Sequence, residues 1–374
     1  MSLPPNAAGS PPAEGANPHP RLVSVDALRG FDMFWIMGGD YLVRSLQNIH
    51  NSPATREFAA QMEHCQWAGF HFYDLIFPLF VFLVGISIVF SVDRMLEQSG
   101  KLRTIRRIVI RSVILFLLGI FYTGGVANGF ANVYLAGVLH RIAVAYFFAA
   151  LIYCFCDARA MAILCVALLL GYWVLLTFVP VPGIGPPSYE QGKNLAYYLD
   201  QHYLPGLKFE GTLLSTLAAV ANGLLGVFAG LLLKSKTVRD QQKVFWLLGC
   251  GAASLAIGFA WGLQFPLIKL LWTSTYVLVA CGYSAILLAI FYQVIEIWKW
   301  RLWAQPFVWL GMNALTIYLT ASIVNFRKLA GRLVGGDVKA FFGAYSDLIL
   351  ALVTLILVFW VVNFLYRRKI FLRL

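Results

Sequence analysis

Charge is scarce in this sequence. Of its 374 residues only 12% are Asp, Glu, Lys or Arg, and the acidic share is the smaller, 17 against 29 basic. With 60% hydrophobic residues and a mean hydropathy of +0.74, that scarcity excludes both a soluble globule of ordinary composition and a disordered chain. What remains is a polytopic membrane protein. The formal charge of +12 does not point to nucleic acid, because in so apolar a chain basic residues collect in cytoplasmic loops and beside anionic headgroups.

Other absences narrow the reading. Six cysteines (Cys65, Cys154, Cys156, Cys165, Cys250 and Cys281) lie mostly inside apolar runs, without zinc spacing or a secreted disulfide framework, and read as free core residues. No metal is implied. There is no P-loop, no GxGxxG in a fold context and no evident repeat between the halves. The first twenty residues are rich in Pro, Ala and Gly but have no apolar segment, so 1–20 reads as a disordered tail rather than a signal peptide, with 21–374 as one transmembrane domain. The sequence has no Asn-x-Ser/Thr glycosylation site, which fits a bacterial inner membrane.

Against this background the apolar runs stand out. Segments able to cross about 30 Å of hydrocarbon fall near 23–44, 67–91, 107–125, 134–156, 160–180, 212–233, 244–263, 271–294, 304–325 and 346–366. They predict an all-α bundle of about ten transmembrane helices with both termini on one side. If that side is the cytoplasm, inner loops hold 18 of the 29 basic residues and outer loops nine, while Arg29 and Arg141 lie within spans. That bias gives N-in and C-in. Links 181–211 and 326–345 are then long outer connections, and the first, with its tyrosines, either covers an acceptor site or is a tied-down surface loop. Glycines in GLLGVFAG (223–230) suit close helix packing.

The first two spans carry an unusual density of ionisable residues: Asp26, Arg29, Asp32, Asp40, His64, His71 and Asp74. A charge near the bilayer centre costs about 2.5–3.5 kcal/mol on insertion scales, so groups kept there are functional candidates. On an ideal helix Arg29 and Asp40, eleven residues apart, share a face about 16 Å apart along the axis. Asp26 with Arg29 is equally readable as a simple neutralising pair. Gly38 and Gly39 before Asp40 would let a backbone or ligand approach. His64 arrives on the same side as Asp40, and a carboxylate beside a histidine orients it as a base, so the two make a plausible dyad. Asp74, three residues after His71 and before Pro78, reads as a structural cap on a helix break. His140 and Arg141 sit in an apolar run, where Arg141 either pairs with a buried carboxylate or meets an anionic ligand. Asn222 and Asn313 read as satisfying helix breaks.

These motifs resemble a known family. SVDALRGFDMFWIMGGD (24–40), HCQWAGFHFYDLIFPLFVFLVGIS (64–87), GVLHRIAVAYF (137–147), LWTSTYV (271–277), PFVWLGMNALTIYL (306–319) and YRRKIFLRL (366–374) are similar, in order and spacing, to the heparan-alpha-glucosaminide N-acetyltransferases and their bacterial relatives in the transmembrane acyltransferase group. The resemblance places the catalytic histidine of an HxxW pattern on His64, with Trp67 following, and its partner, an asparagine in the animal enzymes, on Asp40. It implies Arg29 and Arg141 as acetyl-CoA-binding or core-network residues. It further implies acetyl transfer from cytoplasmic acetyl-CoA to an amino-sugar amine at the extracytoplasmic face. Several members of that family are dimers, so a homodimer is a further expectation. Two other readings stay open: an O-acyltransferase, whose first helix resembles the DALRG segment, and a transporter or flippase of sugar-linked substrates.

Overall fold

In the computed structural model residues 22–127, 129–207 and 209–372 are described; the predicted tail, 1–20, lies outside them. The described residues form helices and no strand, with only two isolated bridges, Ala68 to Ile268 and Val181 to Gly185. In chain order the helices are α1 (Val23–Phe34), α2 (Asp40–Ile49), α3 (Pro53–Gln61), α4 (Ile76–Tyr122), α5 (Val138–Phe155), α6 (Ala158–Phe178), α7 (Leu195–Tyr203) and α8 (Thr216–Lys234). They continue as α9 (Asp240–Gly262), α10 (Ser274–Tyr292), α11 (Gln305–Met312), α12 (Ala314–Ile323), α13 (Phe326–Val334), α14 (Asp337–Phe342) and α15 (Ser346–Arg367). Seven described helices are long and apolar enough to cross a membrane, or eight if α11 and α12, bent by 63°, count with the short turn before them as one. The protein is an integral membrane protein.

Three breaks separate this count from the uninterrupted runs of the sequence. The first helix is interrupted at Trp35–Gly39 by a wide, π-type turn in which Gly38 takes φ 128°, a conformation closed to residues with a Cβ. The 67–91 and 107–125 segments join as one 47-residue helix, α4, that bends at Gly100 (φ 74°) within a stretch rich in Arg and Lys. Asn313 marks the third break, where its amide donates to the Trp309 carbonyl.

Glycine sets how closely the central helices approach. At Gly226 of α8 a Cβ would collide with the Phe82 carbonyl of α4, and at Gly85 with the Gly223 carbonyl of α8. A second seam joins α1 to α11, Gly30 against the Phe307 carbonyl and Gly311 against that of Asp26. With no hydrophobic force between helices in lipid, such backbone contact is what binds them. The expectation for GLLGVFAG therefore holds at Gly223, Gly226 and Gly230.

Pro78 shows how a second break is healed. Proline cannot donate to the carbonyl four residues earlier, that of Asp74, and the Tyr276 hydroxyl donates to it instead at 2.7 Å. Asn222 donates to the carbonyl of Pro78 itself at 3.1 Å, which ties α8 to the start of α4.

Candidate active site

The start of α4 positions the site. Ahead of it, Phe72–Leu75 forms one tight turn, and the Asp74 carboxylate folds back to accept the backbone N–H of His71 at 3.1 Å and of Cys65 at 3.2 Å through Oδ2. That fixes the other oxygen. Oδ1 lies 2.9 Å from Nδ1 of His64. Asp74 is fully buried while the His64 side chain is 51% exposed, so a rooted carboxylate presents a ring to an open face. Tyr73 flanks the same ring at 4.8 Å between centroids.

A residue 205 positions away completes the cluster. Lys269 Nζ stands 2.7 Å from His64 Nδ1, 3.1 Å from Nε2 and 3.2 Å from Asp74 Oδ1. A tight turn presents it: Trp272 N–H donates to the Lys269 carbonyl, Thr273 N–H to that of Ile268, and the Thr273 hydroxyl to that of Pro266. Gly69 N–H donating to Leu267 at 2.9 Å then ties this turn to the His64 link. Trp272 pays a conformational cost at φ 54°, worth about 1–3 kcal/mol for a residue other than glycine. Burial holds Lys269 below the usual lysine range, while the Asp74 charge pulls it back up.

The sequence reading paired His64 with Asp40, and the structure sets a different carboxylate against the ring. The carboxylate on His64 is Asp74, not Asp40; the π-type turn at 35–39 breaks the ideal helix on which Arg29 and Asp40 were aligned. Asp40 is buried at the start of α2, with Oδ1 lacking a hydrogen-bond partner. Asp74 is thus more than the helix cap it was read as. Lys269 had passed for an ordinary loop charge. Its one signal was position, a lone cation in the apolar link QFPLIKLLW.

Cys65, His71 and Asp74 bring ligand atoms within 4.8 Å of one another. They make a poor cation site, because Asp74 already accepts two N–H groups and faces the Lys269 ammonium. The Cys65 thiol is pushed up to about 11, by burial and then by the Asp74 charge, so it is not a ready thiolate ligand.

From this cluster a cavity of about 770 Å³ runs into the bundle. His64, Tyr73 and Lys269 line its outer end, Phe77, Phe80 and Val84 its apolar middle, and Ser87, Ser91, Arg29 and Arg111 the far end. Phe77 to Ser91 spans about 21 Å of helix. Arg29 donates to the Ser87 hydroxyl at 2.8 Å and pairs with Asp26 at 3.3 Å. Arg111 lies 4.7 Å over the Tyr146 ring with its Nε buried and unpartnered. Arg141 is not on the cavity wall. It stacks 4.6 Å over Trp272, whose ring meets Phe77 edge-on at 4.8 Å, so it backs the wall from behind rather than pairing with Asp40 or Asp74.

Residues 21–187 match a family model described as heparan-alpha-glucosaminide N-acetyltransferase, catalytic. The chain is related to that family. The human heparan-alpha-glucosaminide N-acetyltransferase is 26% identical over 94% of this chain and 60% of its own length, and the mouse protein 27% identical over 70% and 49%. This chain therefore spans about half to three fifths of those relatives. His64, Asp74, Asp40, Arg29, Arg111 and Arg141 lie inside the stretch matched to the family, whereas Lys269 lies beyond it.

Proposed function

We propose that this protein is a membrane-embedded acetyltransferase that moves an acetyl group from cytoplasmic acetyl-CoA to the amine of an amino sugar at the extracytoplasmic face. One observation carries the reading: a single cavity joins a half-exposed histidine, backed by a buried carboxylate, to two arginines about 21 Å of helix away. Cations at one end suit the anionic nucleotide, and the apolar middle suits the pantetheine arm. The family match supports the reaction class.

In this reading acetyl-CoA is a substrate that supplies an activated acyl carbon, and the chain's residues do the rest. An ammonium accepts no hydrogen bond, so a proton on His64 Nδ1 can be donated only to Asp74. That leaves the Nε2 lone pair to take the proton of the attacking amine as the C–N bond forms, and to pass it to the CoA thiolate that leaves as the C–S bond breaks. Lys269, 3.1 Å from Nε2, is placed to donate to the acyl oxygen as charge grows there. Arg111 and Arg29 hold the donor's phosphates. Asp40 and Arg141 act at one remove, Arg141 through Trp272.

Topology fits the same picture. Counting α4 as two crossings about the basic bend at Gly100, and the broken pairs α1–α2 and α11–α12 as one each, gives the ten crossings of the sequence reading with N-in and C-in. His64 and the 181–211 link are then outside, in a bacterial inner membrane.

The test is acetyl-CoA turnover by purified protein against amino sugars and their hydroxyl analogues, with His64→Ala alongside. Amine-only turnover that falls about 10²–10⁴-fold in the variant is expected. Turnover confined to hydroxyl acceptors would make the protein an O-acyltransferase, and donor binding absent from folded protein would turn the reading toward transport.

A further inference from the structure

The link between α6 and α8 holds a second, separate cavity. It measures about 430 Å³ and is lined by Pro182, Gly183, Ile184, Tyr197, Tyr198, Gln201 and His202. The surrounding loop is rigidly framed. Asp200, fully buried, accepts the backbone N–H of Thr212 and Leu213, and buried Asn194 donates to Glu210 at 2.6 Å, while Glu210 also accepts from Gly192. Asn194 caps α7 through the N–H of Tyr197, so α7 presents its tyrosines from a fixed start.

This loop also packs against residues at the mouth of the main cavity. The Trp67 indole, three residues past His64, donates to the Tyr189 carbonyl at 3.0 Å. Leu207 N–H donates to the Val133 carbonyl, Phe209 packs edge-on against Tyr134 of the main cavity, and Gly211 lies against Leu270 and Leu271, next to Lys269. Four contacts thus hold the loop beside the link that carries His64.

We propose that the 430 Å³ cavity is a saccharide subsite, which takes a sugar ring of the acceptor beyond the one that carries the amine. It rests on the transferase reading for its acceptor class. The chemistry is that of sugar recognition. Sugar rings offer apolar C–H faces rimmed by hydroxyls, and the Tyr198 and His202 rings, 4.1 Å apart between centroids and tilted by 33°, form a platform for such a face. Gln201 supplies both donor and acceptor at its edge. His202 Nδ1 bonds the Tyr198 carbonyl at 2.9 Å, which turns Nε2 away from the helix backbone. Among the described residues the lining carries no Asp, Glu, Lys or Arg, so the occupant is a neutral ring rather than an anionic group.

The decisive probe is a fully N-acetylated glucosamine trisaccharide, which offers no amine to acetylate, titrated onto detergent-purified protein by saturation-transfer NMR. Saturable binding by the wild type that weakens about tenfold in Tyr198→Ala and in Gln201→Ala supports the subsite. No saturable binding, or binding that both folded variants retain in full, overturns it. Because the probe is not an acceptor, its binding is read independently of turnover: if no acceptor is ever acetylated, binding would still show a saccharide site here but would overturn its role as an acceptor subsite. Where transfer does occur, the variants should lower kcat/KM for a glucosamine trisaccharide about tenfold and leave that for free glucosamine unchanged; equal loss on both would overturn the proposal.

Discussion

At the scale of single residues, two buried carboxylates near one histidine have to be told apart. Asp74 touches His64 and Asp40 does not, so Asp74→Asn should cut turnover about a hundredfold or more while the protein still elutes as a folded species. Asp40→Asn should cost much less. The reverse order, measured side by side as kcat, would return the orienting role to Asp40.

Cys65 reports the same local field by a different chemistry. Its thiol, raised to about 11, carries roughly a hundredfold less thiolate at neutral pH than a thiol at the usual 9.0. Iodoacetamide labelling of Cys65 should therefore be slow at pH 7.5 and rise about tenfold per unit up to about pH 11. The Asp74 charge disfavours the thiolate, so Asp74→Asn should speed labelling; an unchanged rate profile would show that the charge is not felt at the sulfur.

At the scale of elements, the seam between α4 and α8 depends on atoms that are missing. Gly226→Val would drive a branched side chain into the Phe82 carbonyl of α4, at a cost of about 1–3 kcal/mol or more. A lowered melting temperature in detergent is expected, and a wild-type melting temperature would mean that the helices are further apart than described. These seams were legible in the sequence, because runs such as GLLGVFAG put small residues on one helix face. The bend at Gly38 was not. An apolar run looks the same whether its helix is whole or broken, and it was the broken register that moved Asp40 off the line drawn through Arg29. Lys269 was hidden for a different reason: only folding brings it across 205 residues to the ring it touches.

At the scale of the whole molecule, the cavity runs from the His64 cluster to two arginines, and Arg111 tests the arginine end of the proposed donor site. Removing a buried guanidinium that faces an anionic ligand forfeits about 1.5–3 kcal/mol, so Arg111→Ala should raise KM for acetyl-CoA about ten- to a hundredfold and leave kcat within about twofold. A fall in kcat at unchanged KM would place the arginine elsewhere in the cycle. The helix content and the membrane setting were readable from composition alone. The course of the cavity was not, since it follows from which faces of α1, α4, α5 and α11 turn inward together.

The α1–α11 glycine seam borders that cavity at Gly311, and this has a bearing on selectivity. Where carbonyl oxygens of one helix rest on the backbone of the next, the two helices can come no closer, so the wall they form is set by main chain rather than by side-chain rotamers. A wall of that kind acts as a gauge. In the proposed transferase it would select donors by cross-section, with the rings of Tyr73 and Phe77 lining the same space as His64, without any need for the bundle to open and shut.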